Sequence, residues 1–249
     1  MNPMAFVLAG TAIAMSTGGC HSRAADSSPS TDHNSAAATA AKQDWTQQVR
    51  PTPEGAFVMG NPVAPVHLVE YGSLTCPHCK AFNDEGTPRL IADYVKPGKV
   101  SYEFRNYVRD PYDIVAALIA RCDGPKNFFQ LTNALYKDQP NWVAKVEALP
   151  SKLDDQLDGL LEAQQFLARA RAVGLQQWAA THDLPAAQST RCLTNTAEVD
   201  RLVQMNADGT DKYDIPGTPT FLIDGKVTED ATTWDTLKPA LDAALVHRG

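Results

Sequence analysis

The sequence predicts an α/β domain in which a block of helices is inserted between a βαβ half and a ββα half. Three observations carry this. A β-rich run, Val66 to Tyr71, leads into a helix-like stretch and a second β-rich run, Lys99 to Val108. Apolar residues then recur at helical spacing from Pro111 to about Tyr213. Finally Thr220 to Asp224, Gly225-Lys226 and Val227 read as strand, turn and short strand before an amphipathic helix at Trp234 to Val246. Interrupting a sheet with helices in this order keeps one core with helices packed on a sheet.

The N-terminal region stands apart from that domain. Met4 to Met15 is an apolar run followed by Thr17-Gly18-Gly19-Cys20, which suits the hydrophobic segment and cleavage site of an export signal over residues 1–19 and is too short to span a bilayer. The small residues before Cys20 resemble a bacterial lipobox, with Cys20 as a lipidated first residue. Cleavage after Ala24 or Ala25 would instead remove Cys20. The following residues, rich in Ala, Ser, Thr and Asp, bury too little apolar surface to offset the entropy of ordering, so residues 20–53 are expected to form a tether and residues 54–249 the domain. Within the domain, Ala56 to Met59 lies between turn formers and reads as a first edge strand. Lys80 to Tyr94 reads as a helix broken at Pro88, because a proline inside a helix removes a hydrogen bond and crowds the preceding turn.

The composition of the 249 residues, 43% hydrophobic and 20% charged, is that of a globular protein. Twenty-two Lys and Arg against 29 Asp and Glu give a formal charge of −7 and no basic cluster, which disfavours nucleic-acid binding.

The chemistry concentrates at Cys76-Pro77-His78-Cys79. A Cys-x-x-Cys at a strand-to-helix junction sets its first sulfur at the helix N-terminus, where free N–H groups and the macrodipole favour thiolate over thiol. Cys76 is then the nucleophile. Cys79, one turn on, closes a disulfide with it or resolves a mixed one, and His78 is placed to add positive charge or a hydrogen bond. A zinc half-site is the competing reading of such a pair, but no second pair stands at suitable spacing, so neither a metal nor another cofactor is expected.

The segment Val69-Glu70-Tyr71-Gly72-Ser73-Leu74-Thr75-Cys76-Pro77-His78-Cys79 resembles the active-site segment of DsbA-like thiol–disulfide oxidoreductases, of the thioredoxin superfamily. Independently, Ile215-Pro216-Gly217-Thr218-Pro219-Thr220-Phe221-Leu222 resembles the loop and strand that carry that superfamily's cis-proline. The resemblance covers about residues 54 to 249 and implies a thioredoxin-like fold with its helical insertion at about 111–213. It implies that Pro219 is cis and lies against the cysteine pair, that the backbone of Thr218 pairs with a bound substrate strand, and that Glu70 is a buried acid moving a proton to or from Cys79. An ordinary trans proline, and a half-exposed edge carboxylate, are the plainer readings of Pro219 and Glu70.

With Cys20 processed and the redox pair assigned, Cys122 and Cys192 remain and are expected to pair in an oxidising compartment. Closing a loop of 192 − 122 = 70 residues contributes about 4 kcal/mol in the chain-entropy model. His67, His182 and His247 show no ligand spacing and read as surface or packing residues. The function this predicts is an exported, periplasmic oxidase, monomeric, either soluble or anchored through Cys20. It would donate its disulfide to unfolded or reduced exported proteins and be re-oxidised by a membrane partner. Thr218 before the proline also fits a disulfide isomerase or a reductase of the same fold. A binding or chaperone module that keeps the cysteines only structurally is the reading from another class.

Overall fold

The computed structural model describes residues 43–248, so the expected export signal and Cys20 lie outside the described residues. A six-stranded sheet runs in the order β1-β2-β4-β3-β5-β6. Its strands are β1 (Val49–Pro51), β2 (Phe57–Met59), β3 (Val66–Gly72), β4 (Val100–Asn106), β5 (Thr220–Ile223) and β6 (Lys226–Val227). Only β3 and β4 are parallel; they are joined through α1 (Pro77–Glu85), α2 (Thr87–Leu90) and a π-helical turn over Ile91–Val95. β5 returns antiparallel along the other side of β3 and turns into β6. α11 (Trp234–Val246) follows, starting on a Thr233–Thr236 capping box. The two halves and the inserted helices are those the sequence predicts.

The insertion comprises α3 (Pro111–Arg121), α4 (Phe128–Lys137), α5 (Gln139–Glu147), α6 (Lys152–Asp158), α7 (Glu162–Ala172), α8 (Leu175–Ala180), α9 (Ala186–Leu193) and α10 (Thr196–Tyr213). α3 is buried nearly all round, from Tyr112 to Arg121, because the sheet side and the other inserted helices both cover it. One apolar cluster runs from Leu68 and Phe104 on the sheet through Phe82 of α1 to Leu118 and Leu135 of the insertion, so sheet and insertion share a core. On the opposite face of β3, Val69 and Tyr71 pack with Ile215 and Leu222.

Three details differ from the sequence reading. The strand at Phe57–Met59 is not an edge: β2 is paired on one side with β4 and on the other with β1, which the sequence reading left in the tether. The ordered domain therefore starts before residue 54, with a 3-10 turn at Trp45–Gln47, and Trp45 packs on Gly98. Three residues ending in a proline carry too little alternation to stand out among polar neighbours. The helix after the cysteines breaks at Gly86, not Pro88. Pro88 falls in the first turn of α2, where its missing N–H costs nothing, while a Cβ at Gly86 would sit 2.6 Å from the Phe82 ring.

Candidate active site

The sheet's parallel pair β3–β4 sends its C-terminal ends to one edge, and the loop Ser73–Cys76 leaves β3 there. Cys76 is the residue before the first turn of α1, with extended backbone, and Pro77 opens the helix with a preset φ. The Cys76 carbonyl accepts the first helical bond, from Lys80 N at 3.1 Å. The exposed N-terminal N–H groups of the turn thus face the Cys76 sulfur. Cys79 follows one turn on, fully buried, its sulfur accepting from Ser73 N at 3.5 Å. Both thiols are free.

Across from the pair lies the loop before β5. The Thr218–Pro219 peptide is cis, and the Cys76 sulfur lies 3.1 Å from the Thr218 carbonyl oxygen, to which it donates when protonated. A segment 142 residues away in sequence thereby touches the reactive sulfur directly.

The two thiols differ sharply in acidity. Cys76 is lowered from 9.0 to about 5, first by a hydrogen bond from the Cys79 side chain, then by one from the Thr218 side chain and by the backbone N–H groups of Cys79 and His78, which together outweigh burial. Cys79 is pushed well above its ordinary value by burial, by donating to Cys76 and by the charges of Glu70 and Cys76. The side chain of His78 is exposed, and His78 acts on Cys76 through its backbone N–H. In the first turn the backbone is fixed against the sulfur, whereas the side chain points to solvent.

Glu70 sits at the centre of the sheet, in register with Phe104 of β4 on one side and Phe221 of β5 on the other, and is 2% exposed. It shares the face of Leu68, toward the main core. Tyr102 Oη donates to it at 2.6 Å. Burial raises its pKa from 4.5 to about 8, with the Cys76 charge adding and the Tyr102 bond opposing. A cavity of about 440 Å³, lined by Glu70, Tyr102, Asn83, Thr132 and Tyr136, reaches it from between α1 and α4.

Several polar residues around the pair carry no local sequence signal. Asp113 of α3 is fully buried and accepts from Ser73 Oγ at 2.5 Å, Leu74 N at 2.8 Å and Arg109 N at 3.0 Å. Gln139, at the start of α5, donates to the carbonyls of Leu74 at 2.7 Å and Cys76 at 3.0 Å. Tyr136 Oη donates to the Ser73 carbonyl at 3.1 Å.

Away from this edge, Cys122 after α3 and Cys192 in α9 form a disulfide with Cα atoms 5.5 Å apart. His67 pairs with Ser101 and Glu103 on the sheet, and His182 stacks on Trp178. Among the described residues no group of three or more His, Cys, Asp or Glu side chains converges as a metal site.

A cysteine at a helix N-terminus, a buried partner one turn on and a cis-proline loop against the first sulfur together define a thiol-redox site on a thioredoxin fold. The thioredoxin family model matches residues 52–243, and the chain belongs to that family, as a DsbA-like member. It is similar to the solved structure of a protein-disulfide isomerase from Novosphingobium aromaticivorans, at 34% identity and TM-score 0.71, over 76% of this chain and 96% of that one. The fold is also shared with Wolbachia pipientis alpha-DsbA1, at 23% identity and TM-score 0.63, over 80% of this chain and 94% of that one. Among characterised sequences, disulfide bond formation protein D of Bacillus subtilis is 26% identical over 79% of this chain and 80% of its own length. A protein of Rickettsia prowazekii provisionally named a protein-disulfide oxidoreductase is 28% identical over 80% of this chain, and the chain spans 66% of that relative's length.

Proposed function

We propose that the chain is an exported thiol–disulfide oxidoreductase that donates the Cys76–Cys79 disulfide to reduced exported proteins. The observation that carries this reading is the asymmetry of the pair: a sulfur at the helix N-terminus held as thiolate at neutral pH beside a sulfur one turn on held as thiol. Stabilising the Cys76 thiolate stabilises the reduced protein, which makes the oxidised form the stronger oxidant and Cys76 the better leaving group.

In the forward direction a substrate thiolate attacks Sγ of Cys76 in the disulfide, and the bond to Cys79 breaks with its electron pair on Cys79. That sulfur is buried and takes a proton, for which Glu70, protonated at neutral pH and electrostatically coupled to Cys79, is the donor; the cavity beside Glu70 supports a route by which it reloads from solvent. A second substrate thiolate then attacks the substrate sulfur of the mixed disulfide and releases Cys76 as thiolate. Two electrons have passed to the pair, and a membrane redox partner must remove them. The cis-proline loop presents the Thr218 backbone beside Cys76, where a substrate strand can pair with it. The apolar run in residues 1–19 supports export, with Cys20 as the point of lipid attachment in an anchored form.

The second reading is an isomerase of the same fold. Thr218 before the proline favours it, and so does the likeness at 34% identity to a protein named protein-disulfide isomerase. The reduction potential separates the two: values rising toward about −120 mV fit a dedicated oxidase, and about −180 mV fits an isomerase. The reading itself is tested by trapping. Cys79→Ala accumulates mixed disulfides between Cys76 and client proteins, and Cys76→Ser accumulates none; the reverse pattern overturns the assignment.

A further inference from the structure

The loop that carries the reactive cysteine is not held by the sheet alone. Ser73 to Cys76 is a four-residue connection between β3 and α1, and such a connection has few local partners for its own polar groups. Here the inserted helices bond several of them, on both side chains and backbone. Asp113 accepts from the Ser73 hydroxyl and from Leu74 N, Tyr136 donates to the Ser73 carbonyl, and Asp110 accepts from the Thr75 hydroxyl at 2.9 Å. Gln139 uses one amide nitrogen, with its two hydrogens, to bridge the carbonyls of Leu74 and Cys76.

We propose that Asp113 and Gln139 are positioning residues for Cys76: together they clamp the redox loop from both sides of its backbone, so that the inserted helices set the orientation of the reactive sulfur. This rests on the reading of Cys76 as the reactive sulfur of a redox pair.

Two features separate a clamp from ordinary packing. The first is that it acts on the backbone of the residue that matters: the Cys76 carbonyl is shared between Lys80 N of its own helix and Gln139 of α5. Losing the second partner frees that peptide to rotate, and a rotation of the Cys76 peptide moves its sulfur relative to the His78 and Cys79 N–H groups. The second is that Asp113 is an expensive residue to keep. It is fully buried with no cation against it, and its pKa is raised to about 7 by burial, with Asp110 adding and its hydrogen-bond donors opposing. An apolar residue of the same size would be cheaper if packing were all that was required. The carboxylate instead makes three bonds, to a side-chain hydroxyl and two main-chain N–H groups, that fix where Ser73, Leu74 and Arg109 sit.

The test titrates Cys76 by thiolate absorbance in the reduced pair with the Cys122–Cys192 disulfide intact, and follows alkylation rate at pH 6, in folded protein verified by near-UV circular dichroism. Gln139→Leu keeps the volume and removes both donors. It raises the Cys76 value by about one unit or more, a tenfold fall in thiolate at low pH, with a matching drop in alkylation rate. Asp113→Asn retains an acceptor for Leu74 N and gives a smaller shift than Asp113→Ala. Ser189→Ala, which removes a buried hydroxyl bonded within α9, lowers the midpoint of unfolding without moving Cys76. If Gln139→Leu does not fold, Ser73→Ala removes a single clamp contact and reads the same direction.

A folded Gln139→Leu or Ser73→Ala protein with the unmodified Cys76 titration overturns the clamp. Cys76 titrating near 8.5 in the unmodified protein overturns instead the redox reading on which the clamp rests.

Discussion

Replacing Glu70 by Gln removes one ionisable group from the middle of the sheet and leaves its shape and its acceptor for Tyr102. The carboxylic acid belongs at about 8 in the fold and near 4.5 in the unfolded chain, a difference that burial produces first and the Cys76 charge augments. Because the folded value is the higher one, this contribution to stability is fully present below about pH 4.5 and is lost as pH rises through about 8. At roughly 1.4 kcal/mol per unit, the wild-type protein loses about 3 kcal/mol between pH 4.5 and 7 and about 5 kcal/mol once the acid is fully ionised above pH 8. Glu70→Gln has nothing to lose. Urea unfolding of the two proteins in the same redox state, from pH 4.5 to 9, therefore gives a difference that grows in favour of the variant over this window and then levels off. The variant should also slow the exchange step in which Cys79 takes up its proton. A stability difference constant across pH would show that Glu70 ionises as an exposed carboxylate does, and would remove it from the proton route.

Thr218→Val removes the side-chain hydroxyl that lowers the Cys76 pKa and keeps the carbonyl that Cys76 meets, so that pKa rises, by several tenths to about one unit, and the reduction potential falls with the protein still folded; an unmoved titration would place the Thr218 side chain outside the chemistry. Replacing Cys122 and Cys192 with Ala opens a loop of 70 residues, worth about 4 kcal/mol in the chain-entropy model, and lowers the melting temperature by roughly 10 °C while leaving the Cys76 titration unchanged. Gly209→Ala puts a Cβ 2.9 Å from the Tyr71 ring and 3.2 Å from Tyr107, where α10 lies against the sheet, and costs about 1–3 kcal/mol by urea unfolding with unaltered redox chemistry.

What the sequence showed, and what it hid, follows from distance along the chain. Cys76 and Cys79 stand three apart at a strand-to-helix junction, and Gly217-Thr218-Pro219 precedes a four-residue β run, so each motif is complete within a dozen residues. Glu70 came with the first motif, as a buried acid that the resemblance implies, and its burial at the centre of the sheet agrees with that over a half-exposed edge carboxylate. The contact between the two motifs spans 142 residues and came from the resemblance, not from any local pattern. Asp113 and Gln139 are different in kind. Their partners lie 39 to 65 residues away, and in sequence one is an ordinary first-turn helix acid and the other an ordinary residue before a proline. Nothing in a periodicity or a spacing marks a polar side chain for a loop it meets only after folding. His78 is conspicuous in the motif by its side chain, while the contribution that no spacing announces is that of its main-chain N–H to the sulfur.

The distribution of those hidden partners bears on why the insertion is where it is. Asp113 opens α3, Tyr136 ends α4 and Gln139 begins α5, so three consecutive helices of the insertion each send a polar side chain to the same four-residue loop. α3 begins five residues after β4, and β4 is the parallel neighbour of the strand that feeds the loop. Inserting helices after β4 thus delivers them to the sheet edge where the cysteines emerge, since parallel strands end on the same side. Opposite them, the return to β5 brings Thr218 and Pro219 onto the other flank of Cys76. The sulfur is held between a loop that can receive a substrate strand and a helical block that fixes its backbone. Mutations in the block that never touch a thiol are therefore expected to alter reactivity, and those on the far side of the same helices, such as at the Cys122–Cys192 disulfide, to alter stability alone.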